Sequence, residues 1–172
     1  FNESYARKIK TIENKTNHDV KAVEYFINNY FKNNKLERFI PYVHLGLTSE
    51  DVNSLSYALM IRELKNASMI SLNALNKKIK YLASKYKKIS FLARTHGQSA
   101  SPSTLGKEML VFNKRLQRQI DQLKKIHPMA KWGGATGNYH TIHLANQNKD
   151  PVKIATKFIK KFKVEHNVVT TQ

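Results

Sequence analysis

Three short polar segments, each with a histidine, interrupt a chain whose apolar residues otherwise follow helical spacing. The richest segment, from Ala93 to Thr104, reads A-R-T-H-G-Q-S-A-S-P-S-T and places the imidazole of His96 among hydroxyl and amide side chains. An imidazole can donate a proton at neutral pH, and polar neighbours can fix its tautomer and hold substrate oxygens. Gly97 would let a ligand approach the backbone. A hydrogen-bonded loop without a chemical role is the alternative, and the residues alone leave both open.

Two further segments combine a histidine with a predicted helix start. His18 lies in the N-H-D run of residues 17–19, and His44 lies just before the hydroxyls of Thr48 and Ser49. The unpaired N–H groups of a helix N-terminus favour anions, so either segment could bind a phosphate or a carboxylate. Plain helix capping is the alternative explanation of both.

Metal and phosphate-loop motifs are missing from the sequence. There is no cysteine and no metal-ligand spacing such as H-E-x-x-H, so thiolate metal sites and disulfides are excluded. The G-G-A-T-G run of residues 133–137 lacks the Lys-Ser/Thr pair of a phosphate-binding loop, and we predict a flexible connection there that serves as a hinge or turn. The sequence therefore predicts no metal site and implies no cofactor.

Helices must position these segments, and the apolar spacing predicts an all-α fold. The apolar residues of Val20–Tyr30 share one face of a short helix that Asn17 or Asp19 could cap. A long helix begins at Thr48–Asp51, which resembles a capping box, and continues without Pro or Gly to Ile89. A helix of about 60 Å needs partner helices along its length. We therefore expect an elongated helical bundle with a very long central helix.

Two more helices, and no strand, are predicted in the second half. Ser101 and Pro102 are predicted to cap and start a helix whose buried stripe runs from Leu105 to Leu123. Residues 150–151, Asp-Pro, are predicted to start the final helix. Residues 165–171 are the one stretch that could be extended.

The chain is strongly basic, with a formal net charge of +18 and an isoelectric point of about 10.1. Such a charge can indicate a polyanion partner, and a basic helical nucleic-acid-binding module is one alternative function. The lysines are spread along nearly every predicted helix, without a compact basic stripe and aromatics, so solvated faces are favoured and nucleic acid is disfavoured. No apolar run approaches the roughly 18 residues of a membrane helix, and the absence of cysteine fits a cytoplasmic location.

Four segments carry a resemblance to a known family. They are T-N-H-D-V-K-A-V-E at 16–24, V-H-L-G-L-T-S-E-D-V-N at 43–53, R-T-H-G-Q with S-P-S-T-L-G-K-E within 94–108, and G-A-T-G-N-Y at 134–139. Together, in this order, they resemble the adenylosuccinate lyase family of the fumarase/aspartase superfamily. The segments cover nearly the whole chain, and their combination is specific for this member of the superfamily.

The resemblance implies β-elimination of fumarate from adenylosuccinate to give AMP, and the same cleavage of the succinyl-carboxamide ribotide in purine biosynthesis. It implies that His96 is the general acid and that His18 assists or orients it. The residues that it implies for substrate binding are His44 at the phosphate, Thr48 and Ser49 at a succinyl carboxylate, and Thr95, Gln98, Ser101 and Lys107 around the pocket. It also implies a small-molecule substrate and a homotetramer with active sites shared between subunits.

The resemblance further implies a division of the chain into residues 1–47, the end of an N-terminal helical domain, and residues 48–172, the first part of a central helical-bundle domain. The family's signature loop, G-S-S-x-M-P-x-K-x-N, carries the serine implied as the base and lies downstream of a T-T-Q segment. This chain ends at such a T-T-Q, and an Arg-Tyr segment that helps hold the phosphate is also missing. We therefore expect an internal piece of a longer lyase, inactive alone. Another lyase of the superfamily is the alternative.

Overall fold

The computed structural model describes residues 2–172, and most of them are helical. The elements in chain order are α1 Glu3–Thr16, α2 Asp19–Asn33, a 3₁₀ turn Glu37–Tyr42, α3 Ser49–Lys85, β1 Ser90–Thr95, β2 Gln98–Thr104, α4 Leu105–Lys124, β3 Met129–Ala130, α5 His140–Ala145, α6 Pro151–Lys160 and β4 Glu165–His166. The prediction of an all-α fold is confirmed. The very long helix is also confirmed, since α3 has 37 residues.

The chain folds as two compact units. The first consists of Phe1–Leu59 together with Pro128–Gln172, and the second consists of Met60–His127. Helix α3 contributes residues to both units. The domain boundary expected between residues 47 and 48 remains a prediction.

Helix α2 of the first unit begins at a different cap from the one predicted. The N-cap is His18, whose Nδ1 accepts a hydrogen bond from the N–H of Lys21 at 3.3 Å. Asn17 instead ends α1 in the left-handed conformation, with φ of 50°. Asp19 is the first helical residue, and its carboxylate accepts from the N–H of Val20. Capping by Asn17 or Asp19 was therefore wrong, because the backbone of Asn17 ends α1 and Asp19 already lies inside α2.

The core of the first unit lies where the start of α3 meets the C-terminal segment. Ile159 of α6 is fully buried against a small alanine surface. The buried members of this cluster are Ala58, Ala130, Ile159 and Val164, with Leu55, Leu59 and Trp132 packed around them. Strand β3 pairs in parallel with β4, so part of the stretch expected to be extended is a short strand. This arrangement holds the chain after Val164 against the core.

In the second unit, α3 and α4 are joined by buried amides. Asn113 donates from Nδ2 to Oδ1 of Asn76 at 2.7 Å, and Asn76 donates from Nδ2 to Oε1 of Gln117 at 2.7 Å. Both asparagines are buried. Farther along the pair, the ammonium of Lys65 donates to the carbonyl oxygens of Lys124 and Ile126 at the end of α4. These bonds satisfy polar groups that would otherwise be costly to bury.

The connection between α3 and α4 is an antiparallel β-hairpin, which the sequence did not predict. Ser101 and Pro102 lie in β2, and Pro102 is opposite Leu92. The helix starts at Leu105 with Thr104 as its N-cap. The prediction that Ser101 and Pro102 start α4 was therefore wrong. Proline is tolerated at edge strands and irregularities of a sheet, and both strands of a two-stranded ribbon are edges.

Candidate functional site

The segments that contain His18 and His44 both lie in the first unit, where two contacts connect the helices beside them. Asn53 of α3 donates from Nδ2 to Oδ2 of Asp19 at 3.4 Å. Nδ1 of His44 lies 3.1 Å from Oε1 of Glu24 on α2. The start of α2, the turn at His44 and the start of α3 are therefore held together, although they are separate in the sequence.

His18 uses only one of its two ring nitrogens as a cap. Because Nδ1 accepts the N–H of Lys21, the neutral ring carries its proton on Nε2. The side chain is 48% exposed, and it lines an open cavity of about 550 Å³ at the junction of α1 and α2. Next to it, the N–H of Val20 donates to Asp19 and lowers the pKa of that carboxyl group. Helix capping and a chemical role are thus compatible at His18.

His44 is held in an unusual backbone conformation. Its φ is 69°, which is uncommon for a residue other than glycine, and Gly46 follows with φ of 74°. The indole of Trp132 donates from Nε1 to the carbonyl of Gly46 at 2.8 Å. Backbone strain of this kind persists only where the surroundings enforce it, and it is frequent at binding sites. The turn therefore presents the His44 ring from a fixed backbone.

Thr48 and Ser49 lie at the N-terminus of α3, and both are partly buried. The N–H of Thr48 donates to Oδ2 of Asp51 at 2.9 Å, which is the acidic half of the expected capping box. No hydrogen bond to either hydroxyl forms within residues 2–172. Both hydroxyls are therefore available to a ligand at the positive end of a long helix.

A buried ion pair, which sequence reasoning missed, lies directly behind this helix start. Nζ of Lys131 is 2.7 Å from Oδ1 of Asp51, and the two side chains are only 8% and 1% exposed. The N–H groups of Gly133 and Gly134 also donate to the Asp51 carboxylate, each at 3.1 Å. The T-x-x-D pattern gave Asp51 a sufficient role as a cap, and Lys131 was one lysine among many, so the sequence offered no signal for the pair.

The glycine-rich segment is fixed rather than a loose connection. Gly133 and Gly134 bind Asp51, as described above, and the N–H of Tyr139 donates to the carbonyl of Gly133 at 2.9 Å. Gly137 lies so close to the C-terminal segment that a Cβ atom there would overlap the carbonyl group of Thr170. The segment thus joins the start of α3 to the end of the chain.

Replacing Gly137 with alanine is expected to destabilise the protein more than the same change at Gly134. Both glycines have φ of 76°, so both variants carry the same left-handed strain. A Cβ at Gly134 meets open space, whereas one at Gly137 meets Thr170. We expect Gly137→Ala to cost about 1–3 kcal/mol more than Gly134→Ala in urea denaturation, as for other overpacked sites. Equal costs would mean that the Thr170 segment moves away freely.

A second buried polar network, also missed from the sequence, fixes the C-terminal segment. Tyr139 donates from Oη to the carbonyl of Val168 at 2.6 Å and lies 3.3 Å from Nε2 of His166. The hydroxyl of Thr156 lies 2.7 Å from Nδ1 of the same ring. Burial lowers the pKa of His166 and raises the pKa of Tyr139. Both groups are therefore neutral at pH 7, and they anchor the segment that leads to residues 170–172.

In the second unit, His96 and Gly97 form the two-residue turn of the hairpin. Thr95 pairs with Gln98, and the two residues between them have φ of 52° and 76°. Positive φ at both positions is the signature of a type I′ turn, in which an Asn-Gly pair is common and histidine is not. The His96 ring is exposed and makes no hydrogen bond or ion pair within residues 2–172. No contact in that range supports a loop-anchoring role for the ring.

The remaining predicted residues of the second unit follow the hairpin. Thr95, Gln98 and Ser101 are exposed on its strands. Lys107 lies in the first turn of α4, where its ammonium donates to Glu108 at 2.9 Å. That hydrogen bond is the main cause of the lowered pKa of Glu108. The nine predicted residues thus form two sets: His18, His44, Thr48 and Ser49 in the first unit, and Thr95, His96, Gln98, Ser101 and Lys107 in the second.

Neither a metal site nor a membrane-spanning helix is found in the described part of the chain. No group of three or more His, Asp or Glu side chains within residues 2–172 is placed to hold a metal ion. Over the same residues, none of the helices combines the length and the apolar character needed to cross a membrane.

Comparison with known proteins identifies relatives over the whole chain. It is 43% identical to an adenylosuccinate lyase of Haemophilus influenzae, 41% to one of Buchnera aphidicola and 40% to one of Escherichia coli. Each alignment covers 100% of this chain and 38% of the relative. The chain therefore spans about 38% of the length of the curated relatives that it matches.

Solved structures share the fold at lower identity. A fumarate lyase from a Mesorhizobium species has a TM-score of 0.78 at 18% identity, covering 99% of this chain and 38% of that protein. A β-carboxy-cis,cis-muconate cycloisomerase from Acinetobacter calcoaceticus has a TM-score of 0.75 at 21% identity, covering 95% and 37%. A family model described as lyase matches residues 1–171. With nearly every residue matched, the chain belongs to this lyase family.

Proposed function

We propose that the full-length protein is an adenylosuccinate lyase, which eliminates fumarate from adenylosuccinate to give AMP. The same cleavage would act on the succinyl-carboxamide ribotide. A base removes a proton from the carbon beside a succinyl carboxylate, and the carbanion expels the purine nitrogen as the C–N bond breaks. A general acid protonates that nitrogen. The identity of the relatives, 40–43% over the whole chain, favours this substrate over those of other lyases.

The observation that carries the proposal is the presentation of His96. The ring lies exposed at the tip of a two-residue turn, with no hydrogen bond from the described residues. A ring without a partner at the tip of a turn suits a group that must reach a substrate. We assign the general acid to His96, with Thr95 and Gln98 beside it as substrate contacts and with Ser101 and Lys107 at the edge of the pocket.

The first unit supplies the binding groups in this proposal. The free hydroxyls of Thr48 and Ser49, at the N-terminus of a 37-residue helix, suit a succinyl carboxylate. His44 takes the substrate phosphate, and Nε2 of His18 assists or orients the general acid. The base is a serine of a loop downstream of Gln172.

We also propose that the enzyme is a cytoplasmic homotetramer with shared active sites. The second unit leaves large apolar side chains in solvent: Leu64 is 68% exposed, Ile70 75% and Phe112 55%. Large apolar side chains with such exposure suggest an interface, and other copies of the same helices would cover them. On this proposal, residues 1–47 close an N-terminal domain and residues 48–172 begin the central bundle.

A fumarate-release assay tests the proposal. We expect the full-length protein to convert adenylosuccinate to AMP and fumarate. The change in ultraviolet absorbance of the purine measures this conversion. The 172 residues alone are expected to release no fumarate, because they span 38% of the related enzymes. A full-length protein that ignores adenylosuccinate but cleaves another amine-linked succinate would establish a different lyase. Turnover by the 172 residues alone would contradict the need for the rest of the protein.

A further inference from the structure

Glu24 contacts two side chains at once. Its Oε1 lies 3.1 Å from Nδ1 of His44, and its Oε2 accepts a hydrogen bond from Nζ of Lys21 at 2.6 Å. The Glu24 side chain is only 15% exposed. Sequence reasoning gave this residue no role, because its partner His44 is on a different element.

The contact decides which nitrogen of His44 is available to a ligand. A carboxylate accepts and cannot donate, so Nδ1 of His44 must carry the proton that faces Glu24. Nε2 is then left for a ligand, and it carries a proton as well when the ring is doubly protonated. An Nε2–H group is the donor that a phosphate oxygen requires. The backbone of His44 is already fixed by its turn, so Glu24 sets the orientation of the ring.

We propose that Glu24 is a positioning residue that orients the ring of His44 toward the phosphate of the substrate. The inference rests on the proposed function, because that function gives His44 its phosphate ligand. Glu24 does not touch the substrate itself. Its effect should therefore be specific for the phosphate and should disappear when His44 is removed.

The test compares AMP with adenosine, which differ only in the phosphate. Binding of each to the full-length protein is measured by calorimetry for the wild type, Glu24→Gln, His44→Gln and the double variant. We expect Glu24→Gln to weaken AMP binding about tenfold, the scale of one hydrogen bond to a charged group, and to leave adenosine binding unchanged. In the His44→Gln background, Glu24→Gln should cause no further loss. With adenylosuccinate as substrate, KM should rise about tenfold while kcat is retained.

Lys21→Gln is the matched control, because it removes the other contact of Glu24 and keeps the one to His44. We expect it to change AMP affinity by less than about twofold, because the Lys21 side chain is 45% exposed and does not contact His44. The inference is overturned if Glu24→Gln binds AMP like the wild type, weakens adenosine equally, or adds its full effect to His44→Gln. It is also overturned if Lys21→Gln matches Glu24→Gln, or if the wild type does not bind AMP. Absence of fumarate release with a phosphate-specific loss in Glu24→Gln would refute the proposed function alone.

Discussion

Replacing Asp51 with asparagine is expected to lower the free energy of unfolding by about 3–5 kcal/mol. The change removes the negative charge opposite Lys131, whose ammonium is almost fully buried and has its ion pair with Asp51. It also places an amide where the N–H groups of Gly133 and Gly134 now meet carboxylate oxygens. Urea denaturation of the full-length protein, followed by circular dichroism, measures the loss.

Two further variants show whether the buried charge causes the loss. Lys131→Met should cost less than Asp51→Asn, because the carboxylate keeps the N–H groups of Thr48, Gly133 and Gly134. Asp121→Asn removes a charge from an exposed pair with Lys124 at 3.6 Å and should cost at most about 1 kcal/mol. If Asp51→Asn is as mild as Asp121→Asn, the buried pair is not a major source of stability.

The second large effect is expected on catalysis. In the full-length enzyme, His96→Gln should reduce kcat by about 10²–10⁴-fold, the usual contribution of a general acid. The fold should remain intact, because the exposed ring has no hydrogen-bond partner within residues 2–172. Steady-state fumarate release measures the loss, and circular dichroism and the urea midpoint check the fold.

His127→Gln is the control for this experiment. His127 is an exposed histidine of the same unit, near the end of α4, and its replacement should leave kcat near the wild-type value. Near-normal turnover by His96→Gln would show that His96 is not the general acid. Loss of both turnover and stability would instead show that the ring supports the hairpin.

The sequence predicted helices well and the hairpin poorly, for a physical reason. Helical spacing repeats over many residues, so the 37 residues of α3 could be predicted from the pattern alone. The hairpin has short strands with exposed side chains and no apolar alternation. Its Ser-Pro pair also matches a helix start, and the competing cap, Thr104, is only a few residues away. Local signals could not choose between these starts.

Some residues of the candidate site could likewise be predicted from the sequence, and others could not. His18, His44 and His96 could be singled out as candidates because each histidine lies in a short segment that also contains hydroxyl, amide or carboxylate side chains. The partners Glu24 and Lys131 could not, because each acts across elements on a residue far away in the sequence. An isolated glutamate or lysine on a helical or loop pattern is indistinguishable from a solvated one. Only the fold reveals which charges are paired.

The buried amides of Asn76 and Asn113 have a consequence for the hairpin beyond the stability of the helix pair. Sliding α4 along α3 by one helical turn, about 5.4 Å, would separate Asn113 from Asn76 and leave their amides unsatisfied in the interior. The free-energy cost of these unsatisfied amides disfavours an alignment of the two helices that is shifted by one turn. The hairpin connects the end of α3 to the start of α4. The same amides therefore fix the position of the hairpin tip, with His96, along the axis of the helix pair.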